Sequence, residues 1–422
     1  MPRLVLVVSA FPRLSESFLL SKFRGLLNAG WDTYVVCKRS DDAEWDRFCG
    51  SRLKRRLRRR VWVQWPQRSR WIAAALMPAA AVRCCLENPR AVRRYWSRFG
   101  FGAFRRIYLD AEILCLKPDL VHFEFGTLAV GRMDLKDLLD CKVSVSFRGF
   151  DLNFAGLEER DYYDEVWREV NAVHFLGQDL WKRALSRGCP PEITHALIPP
   201  AIDTDFFDPG EREETGAVGT PSRPLRILSV GRLEWKKGYE YSLQAVRRLL
   251  DSGVACEYRI LGGGDSLPSI AFARHQLRLK DAVEFLGPRS RQAVKREMAW
   301  ADVFLHAAVS EGFCNAVIEA QAMGLPVVTS DADGLPENVS QGETGFVVPR
   351  RDPSALAEKL ALFAGDPAQR RRMGEAGRRR VETRFRLADQ IAAFDAFYRR
   401  ILAVPVEAGP MQERQDEAVQ AG

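Results

Sequence analysis

EGFCNAVIEA, residues 311–320, sets two carboxylates, Glu311 and Glu319, eight residues apart across a loop that runs into an apolar helix. Just upstream, residues 299–307 (AWADVFLHA) read as a buried strand with a short lead-in, 309–313 as a turn, and 315–323 as a helix closed by Gly324 and Pro326. A helix opening there leaves the backbone N–H groups of Phe313, Cys314 and Asn315 without intrahelical partners, and donors and dipole together attract a phosphate. Glu311 sits ahead of that terminus. Glu319 lies two turns further on, where a carboxylate accepts two hydrogen bonds from vicinal hydroxyls such as those of a ribose. Taken alone, the pair is weak evidence, and a solvated helix face is its plainer reading.

A second motif adds weight to the first. GRLEWKKG, residues 231–238, follows the apolar run 225–230 (LRILSV), which reads as a buried strand. Arg232 and Lys237 then leave the C-terminal end of a strand, the ligand side of an open α/β sheet. Two cations there neutralise a diphosphate, Arg as a bidentate fork and Lys as a point charge. Gly231 and Gly264 flank the same position, the latter in YRILGGG (258–264).

With these residues the chain resembles the family 4 glycosyltransferases of the GT-B fold, two Rossmann-like α/β domains facing a central cleft. YRILGGG resembles the strand and glycine turn beneath the nucleotide. DGLPENV (333–339) and GETGFVVP (342–349) resemble the family's Gly-Pro-Glu segment and Gly-x-Thr-Gly hairpin. IPPAIDTDFF (198–207) resembles an interdomain element, with Pro200 and Ala201 where Asn and Gly are usual. FPRLSESF (11–18) replaces the Gly-Gly loop of many relatives and resembles that of bacterial exopolysaccharide glycosyltransferases of the colanic-acid type.

Length agrees with two cores: 422 residues exceed a single domain, and 46% hydrophobic content is ordinary for a globular chain. Alternating strand and helix patterns place strands at 4–8, 33–37, 120–123, 142–147 and 172–176 and a helix at 17–29. Residues 1–207 are thus expected to form an acceptor-binding domain, 208–224 a linker rich in Gly, Pro, Thr and Glu, and 225–386 the nucleotide-sugar domain. Residues 387–402 read as an amphipathic helix that the resemblance places back on the first domain, and 403–422 as a disordered tail. Nine cysteines without a C-x-x-C pair point to free thiols and a cytoplasmic location. The apolar run 71–82 contains Pro78 and is too short to span a bilayer.

Charge is uneven. Residues 47–106 hold seventeen Lys or Arg against Glu87 alone, a surplus of sixteen on a chain whose net charge is +8. Seven of the basic residues fall in RLKRRLRRR (52–60), with Trp62, Trp65, Trp71, Tyr95, Trp96 and Phe99 following. Cationic helices with aromatics suit an anionic membrane surface, so a peripheral position on the inner face is expected. A solvated face is the plain alternative, and nucleic acid is not expected because no recognition motif accompanies the tract.

On the acceptor side, Glu16 would be the carboxylate of the 11–18 loop, or Ser15 and Glu16 simply start a helix. SFRGFD (146–151) resembles the family's His-Gly-x-Asp element with Arg148 in place of the His that contacts the donor sugar. Arg148 cannot relay a proton, so its role there is electrostatic, or else it pairs with Asp151 across a turn. His122 and Glu124 read as lying at a strand end facing the cleft, the His more often structural than catalytic. Asp331-Ala-Asp333 has the spelling of a metal pair but falls away from the expected phosphates, and no zinc spacing is present. With Arg232, Lys237 and a helix N-terminus neutralising the leaving group, no metal or other cofactor is expected. The resemblance implies a hexosyltransferase-type reaction moving a sugar with retention from a nucleotide diphosphate sugar to a hydroxyl, expected on a lipid-linked saccharide. Arg232, Lys237 and the 313–315 amides would hold the leaving diphosphate and Glu311 the sugar hydroxyls. A nucleotide-sugar 2-epimerase and a catalytically silent scaffold of the same fold stand as alternatives.

Overall fold

Runs without alternation, such as LVLVV at 4–8, suit parallel strands covered on both faces, and the structure uses them so. The computed structural model describes all residues except 14, 15, 49, 67, 68, 211–215 and 404–422. The first sheet holds β1 (Arg3–Ala10), β2 (Asp32–Arg39), β3 (Val61–Val63), β4 (Leu120–Phe123), β5 (Lys142–Phe147), β6 (Ala172–Phe175) and β7 (His195–Leu197). Their order is β3-β2-β1-β4-β5-β6-β7, parallel throughout. The second sheet holds β8 (Leu225–Val230), β9 (Cys256–Leu261), β10 (Val283–Gly287), β11 (Val303–His306), β12 (Val327–Ser330) and β13 (Gly345–Val348). Its order is β10-β9-β8-β11-β12-β13, again parallel.

Each sheet is a sandwich filling between two apolar layers. In the first, Val5, Val7 and Phe123 face one cluster while Leu4, Leu6 and Val8 face another. In the second, Ile227 and Leu305 face one layer and Leu228 and Phe304 the other. The helix Leu387–Leu402 packs Phe394, Phe397 and Tyr398 into the layer of the first sheet that holds Leu4 and Leu6, so the chain does cross back.

The strand orders reverse between β1 and β4 and again between β8 and β11, and open α/β sheets bind ligands at such switch points, outside the strands' carboxyl ends. Glu16 follows β1, Arg232 and Lys237 follow β8, and Glu311 follows β11. The two carboxyl edges face each other. A Cβ built on Gly149 would lie 2.9 Å from the backbone nitrogen of Gly312, so these two peptides touch across the cleft and neither residue has room for a side chain. Asn153 donates to Ser310 and to Asp333 at 3.0 Å, and Arg183 to Asp333 at 2.7 Å. Glu337 accepts the amides of Gln178 and Asp179 at 2.9 and 2.8 Å, capping the helix Gln178–Ser186 from the other domain.

Two expectations change. Residues 299 and 300 end the helix Arg291–Trp300 rather than lead into a strand, because Ser290 caps that helix and Trp300 closes it. The segment 208–224 is not a free linker along its described length: Val218 is buried in the second domain's core, Ala255 donates to the Gly219 carbonyl, and Arg370 to that of Gly216. The tail assigned to 403–422 lies outside the described residues from 404 onward.

Candidate active site

A cleft of about 900 Å³ runs between the domains, and its walls include Glu16, Arg148, Gly231, Arg232, Lys237, Gly264, Glu311, Phe313, Cys314, Asn315 and Glu319. The sequence had scattered these over three hundred residues. Lys237 arrives on a single 3-10 turn, Trp235–Lys237, closed by Gly238 at φ +63°; a Cβ there would lie 2.1 Å from the Ala307 carbonyl. Gly264 is equally constrained, since its Cβ would meet the Leu233 carbonyl at 2.4 Å.

Lys237 Nζ donates to Glu311 Oε2, which also meets His306 Nε2 at 3.3 Å. Burial pushes the Glu311 carboxyl up, but Lys237 and His306 outweigh it and hold the group at about 2. For His306 burial opposes the charge, and Cys314 with Glu311 raises it to about 9. Arg232, more than half exposed, pairs with Glu234 at 2.7 Å, and Lys236 approaches the same carboxylate. Arg232, Lys236 and Lys237 on the cleft wall thus share the carboxylates of Glu234 and Glu311, three cations on two anions. His306 is a residue the sequence reading missed; its five-residue spacing to Glu311, from strand end to loop, is the signal that could have found it.

The helix Asn315–Ala322 opens at the cleft, yet not all three amides are free. Cys314 N donates to Asn338 Oδ1 at 3.3 Å, Asn338 Nδ2 returns a bond to the Cys314 carbonyl, and Gln321 fixes Asn338 in turn. The Cys314 amide is thus removed from the expected phosphate donors, because the buried loop satisfies it internally. Glu319 lines the cleft with Arg291 as its charged neighbour, and burial pushes its carboxyl up to about 7.

Asp331 and Asp333 are spoken for by arginines. Asp331 pairs with Arg350 at 3.2 Å, and Asp333 with Arg350 at 3.0 Å and Arg183 at 2.7 Å. Asp333 also accepts from Ser310 and from the Glu311 amide, so it sets the loop that carries Glu311. Ligand atoms of His306, Glu311 and Cys314 lie within 4.8 Å of one another, a spacing compatible with a metal. Glu311 Oε2 also accepts from the Lys237 ammonium.

The opposite wall departs further from expectation. His122 and Glu124 are fully buried rather than facing the cleft. Glu124 accepts from Lys22 at 2.7 Å and from Arg148 at 2.9 Å, while His122 bonds Ser144 and Ser146, and Ser146 bonds His174. Burial, reinforced by Lys22, pushes both imidazoles well down, so they are neutral structural groups. Arg148 does not pair with the Asp151 side chain through its guanidinium; Asp151 is buried and accepts the Arg148 and Thr127 amides, closing the turn and leaving it no reach into the cleft. Glu16 precedes the helix Ser17–Asn28 without capping it, pairs with Arg13 at 3.2 Å, and leaves its buried Oε2 unpartnered. Ser15 lies outside the described residues.

The basic window divides between two faces of the first sheet. The helix Ser51–Arg58 packs Leu53 and Leu57 in the layer with Leu4 and Leu6, whereas the helices Arg70–Glu87, Pro89–Phe99 and Ala103–Leu116 cover the other face. Of the aromatics, Tyr95 is core and Trp62, Trp65, Trp96 and Phe99 pack partly against it, because they complete the helix layer. Trp71, Ile72, Val82 and Leu86 remain exposed along Arg70–Glu87, and Arg90, Arg93, Arg94 and Arg98 along its neighbour. No helix of the described residues is long and apolar enough to cross a membrane.

Two parallel-sheet domains meeting at a cationic cleft, with paired carboxylates on its second-domain wall, define the architecture of a GT-B glycosyltransferase. Residues 211–380 match the family model described as glycosyl transferases group 1. The chain is 30% identical over 381 residues to the putative colanic acid biosynthesis glycosyltransferase WcaL of Salmonella typhimurium, covering 84% of this chain and 88% of that one. It is 28% identical over 406 residues to the amylovoran biosynthesis glycosyltransferase AmsK of Erwinia amylovora, covering 91% and 96%. The chain belongs to the group 1 glycosyltransferases. Its fold matches that of Anabaena HepE in complex with UDP and glucose at a TM-score of 0.70 and 15% identity, over 95% of this chain and all of that one. Sucrose-phosphate synthase from Thermosynechococcus elongatus matches at 0.69 and 19%, over 96% and all.

Proposed function

We propose that the protein transfers a sugar, with retention, from a nucleotide diphosphate sugar to a hydroxyl of a lipid-linked saccharide in bacterial exopolysaccharide assembly. The observation that carries this is the convergence of Arg232, Lys237, Glu311, the open end of Asn315–Ala322 and Glu319 in one cleft. In this reading the cations and the Phe313 and Asn315 amides stabilise the departing diphosphate. Glu311, held ionised by Lys237 and His306, accepts from sugar hydroxyls, and Glu319 accepts from the ribose. The names of WcaL and AmsK supply the polysaccharide context, and the fold match to a UDP-bound enzyme supports a nucleotide donor. Retaining hydrolases place a carboxylate nucleophile and an acid about 5 Å apart. Here Glu311 is tied to Lys237, which leaves front-face attack assisted by the leaving phosphate as the route. Transfer or hydrolysis with a panel of nucleotide sugars tests the reading; an altered nucleotide sugar formed without any acceptor would instead identify an epimerase.

Binding of UDP is expected to strengthen as pH rises through 7, since the ionised Glu319 is the form that accepts two ribose hydrogen bonds and its carboxyl titrates at about 7 in the free protein. Glu319→Gln should flatten that dependence relative to wild type, and Glu319→Ala should cost about 1.5–3 kcal/mol in calorimetry. An identical pH profile in wild type and Glu319→Gln would remove Glu319 from the ribose site.

Turnover is also expected to survive excess EDTA, because Arg232, Lys236 and Lys237 meet the charge of the leaving group. Complete loss restored by magnesium or manganese would return His306, Glu311 and Cys314 to consideration as ligands.

A further inference from the structure

We propose that Arg148 selects a donor whose sugar carries a carboxylate, a nucleotide-linked uronic acid. The inference rests on the nucleotide-sugar reading above and adds the class of sugar. Arg148 follows β5, and the peptide after it abuts the peptide after Glu311 through the Gly149–Gly312 contact. It therefore borders the cleft directly across from the donor wall. Its guanidinium is fixed from three sides: Nε donates to the Glu124 carbonyl at 3.0 Å, Nη2 to the Glu124 carboxylate at 2.9 Å, and the rings of Phe18 and Phe125 lie 4.3 and 5.2 Å away. Nη1 has no partner among the described residues, and the side chain is 13% exposed on the cleft wall.

The charge beneath is unbalanced. Lys22 and Arg148 share the one carboxylate of Glu124, with the neutral His122 and His174 beside them. A surplus cation held away from water is costly until an anion meets it. In the reading above the diphosphate is met by Arg232, Lys236 and Lys237 of the other domain, so this surplus calls for a second anionic group. Glu16, on the same wall, lies in the field of Arg148 and Arg232 but is paired with Arg13 at 3.2 Å, so it does not cancel the surplus. A sugar carboxylate fits a fixed guanidinium edge by charge-assisted hydrogen bonding, whereas the hydroxymethyl of a neutral hexose offers one weak acceptor.

The test compares UDP-glucuronate with UDP-glucose, and UDP-galacturonate with UDP-galactose, by calorimetry and by turnover, with UDP alone as the reference for an intact donor site. Wild type is expected to favour one uronate over its neutral partner by about tenfold or more, the scale of one charged hydrogen bond. Arg148→Gln should bring that ratio close to one, and Arg148→Lys should restore part of it. If wild type binds UDP and handles the neutral sugar as well as the uronate in both pairs, the inference is overturned while the glycosyltransferase reading stands. A preference that persists undiminished in Arg148→Gln also overturns it. Failure to bind any nucleoside diphosphate would bring down the parent reading and this inference with it.

Discussion

Arg232→Ala is expected to lower turnover by about a hundredfold or more while leaving the melting temperature unchanged, the range for removing one preorganised donor from a developing charge. Lys237→Ala should lose at least as much activity but also stability, and the structure explains the difference. Arg232 is 59% exposed and pairs with the half-buried Glu234, whereas Lys237 and Glu311 are 11% and 14% exposed and bonded to each other. Removing one member of a buried pair strands the other, at a cost of about 3 kcal/mol or more. His306 remains beside Glu311 and keeps the loss near the lower end of that range. The double variant Lys237→Ala with Glu311→Gln should recover stability without recovering turnover, since the stranded charge is gone but the donors are too. Steady-state kinetics with thermal melts on the four proteins decide the matter: unchanged kinetics in both single variants would remove the diphosphate from this wall.

The second domain's wall was legible because its chemistry is local. In GRLEWKKG and EGFCNAVIEA the functional residues follow directly on the strand that aims them, on its loop or on the helix the loop enters. Long-range partners left no such trace. Asp333 orders the Glu311 amide, Ser310, Asn153, Arg183 and Arg350 at once, but its sequence neighbourhood only spelled a metal pair. Glu337 caps a helix more than 150 residues away in the other domain, and no period or spacing announces a cap supplied from a distance. The first domain's wall was misjudged for a related reason. VHFEFG reads as a strand ending at the cleft, yet burial of Glu124 depends on Lys22 arriving from the helix Ser17–Asn28 and Arg148 from β5. Position along a strand gives the direction of a side chain; only its partners decide whether it stays dry.

Docking on an anionic membrane is expected to run through the helix pair Arg70–Glu87 and Pro89–Phe99 rather than through RLKRRLRRR. The two tracts cover opposite faces of the first sheet, so one flat surface does not meet both. Ion pairs occur in both tracts, Lys54 with Asp42 and Asp46, Arg58 with Asp42 and Arg60 with Asp32 in the one, Arg94 with Asp140 and Arg98 with Asp137 in the other, so pairing does not separate them. The helix pair instead sets an apolar stripe beside an arginine stripe. Trp71, Val82 and Leu86 are 79%, 60% and 81% exposed, and Arg90 and Arg93 are exposed alongside. Apolar side chains enter the acyl boundary while arginines meet the headgroups, a division suited to a helix lying in the interface plane. Arg90, Arg93 and Arg98 changed together to Glu should weaken binding to anionic vesicles by roughly 3 kcal/mol, about a hundredfold, at about 1 kcal/mol per basic residue. Reversing Arg55, Arg56 and Arg59 should cost far less. Raising salt should remove the arginine part as the Debye length shrinks from about 10 Å at 0.1 M to about 3 Å at 1 M, leaving a residue of binding that Val82→Ser with Leu86→Ser abolishes. UDP binding should persist in each variant, because the donor wall belongs to the other domain. Equal loss from both arginine sets would move the contact to the sheet edge between them, and full vesicle binding after the helix-pair reversals would mean that the acceptor is met in solution.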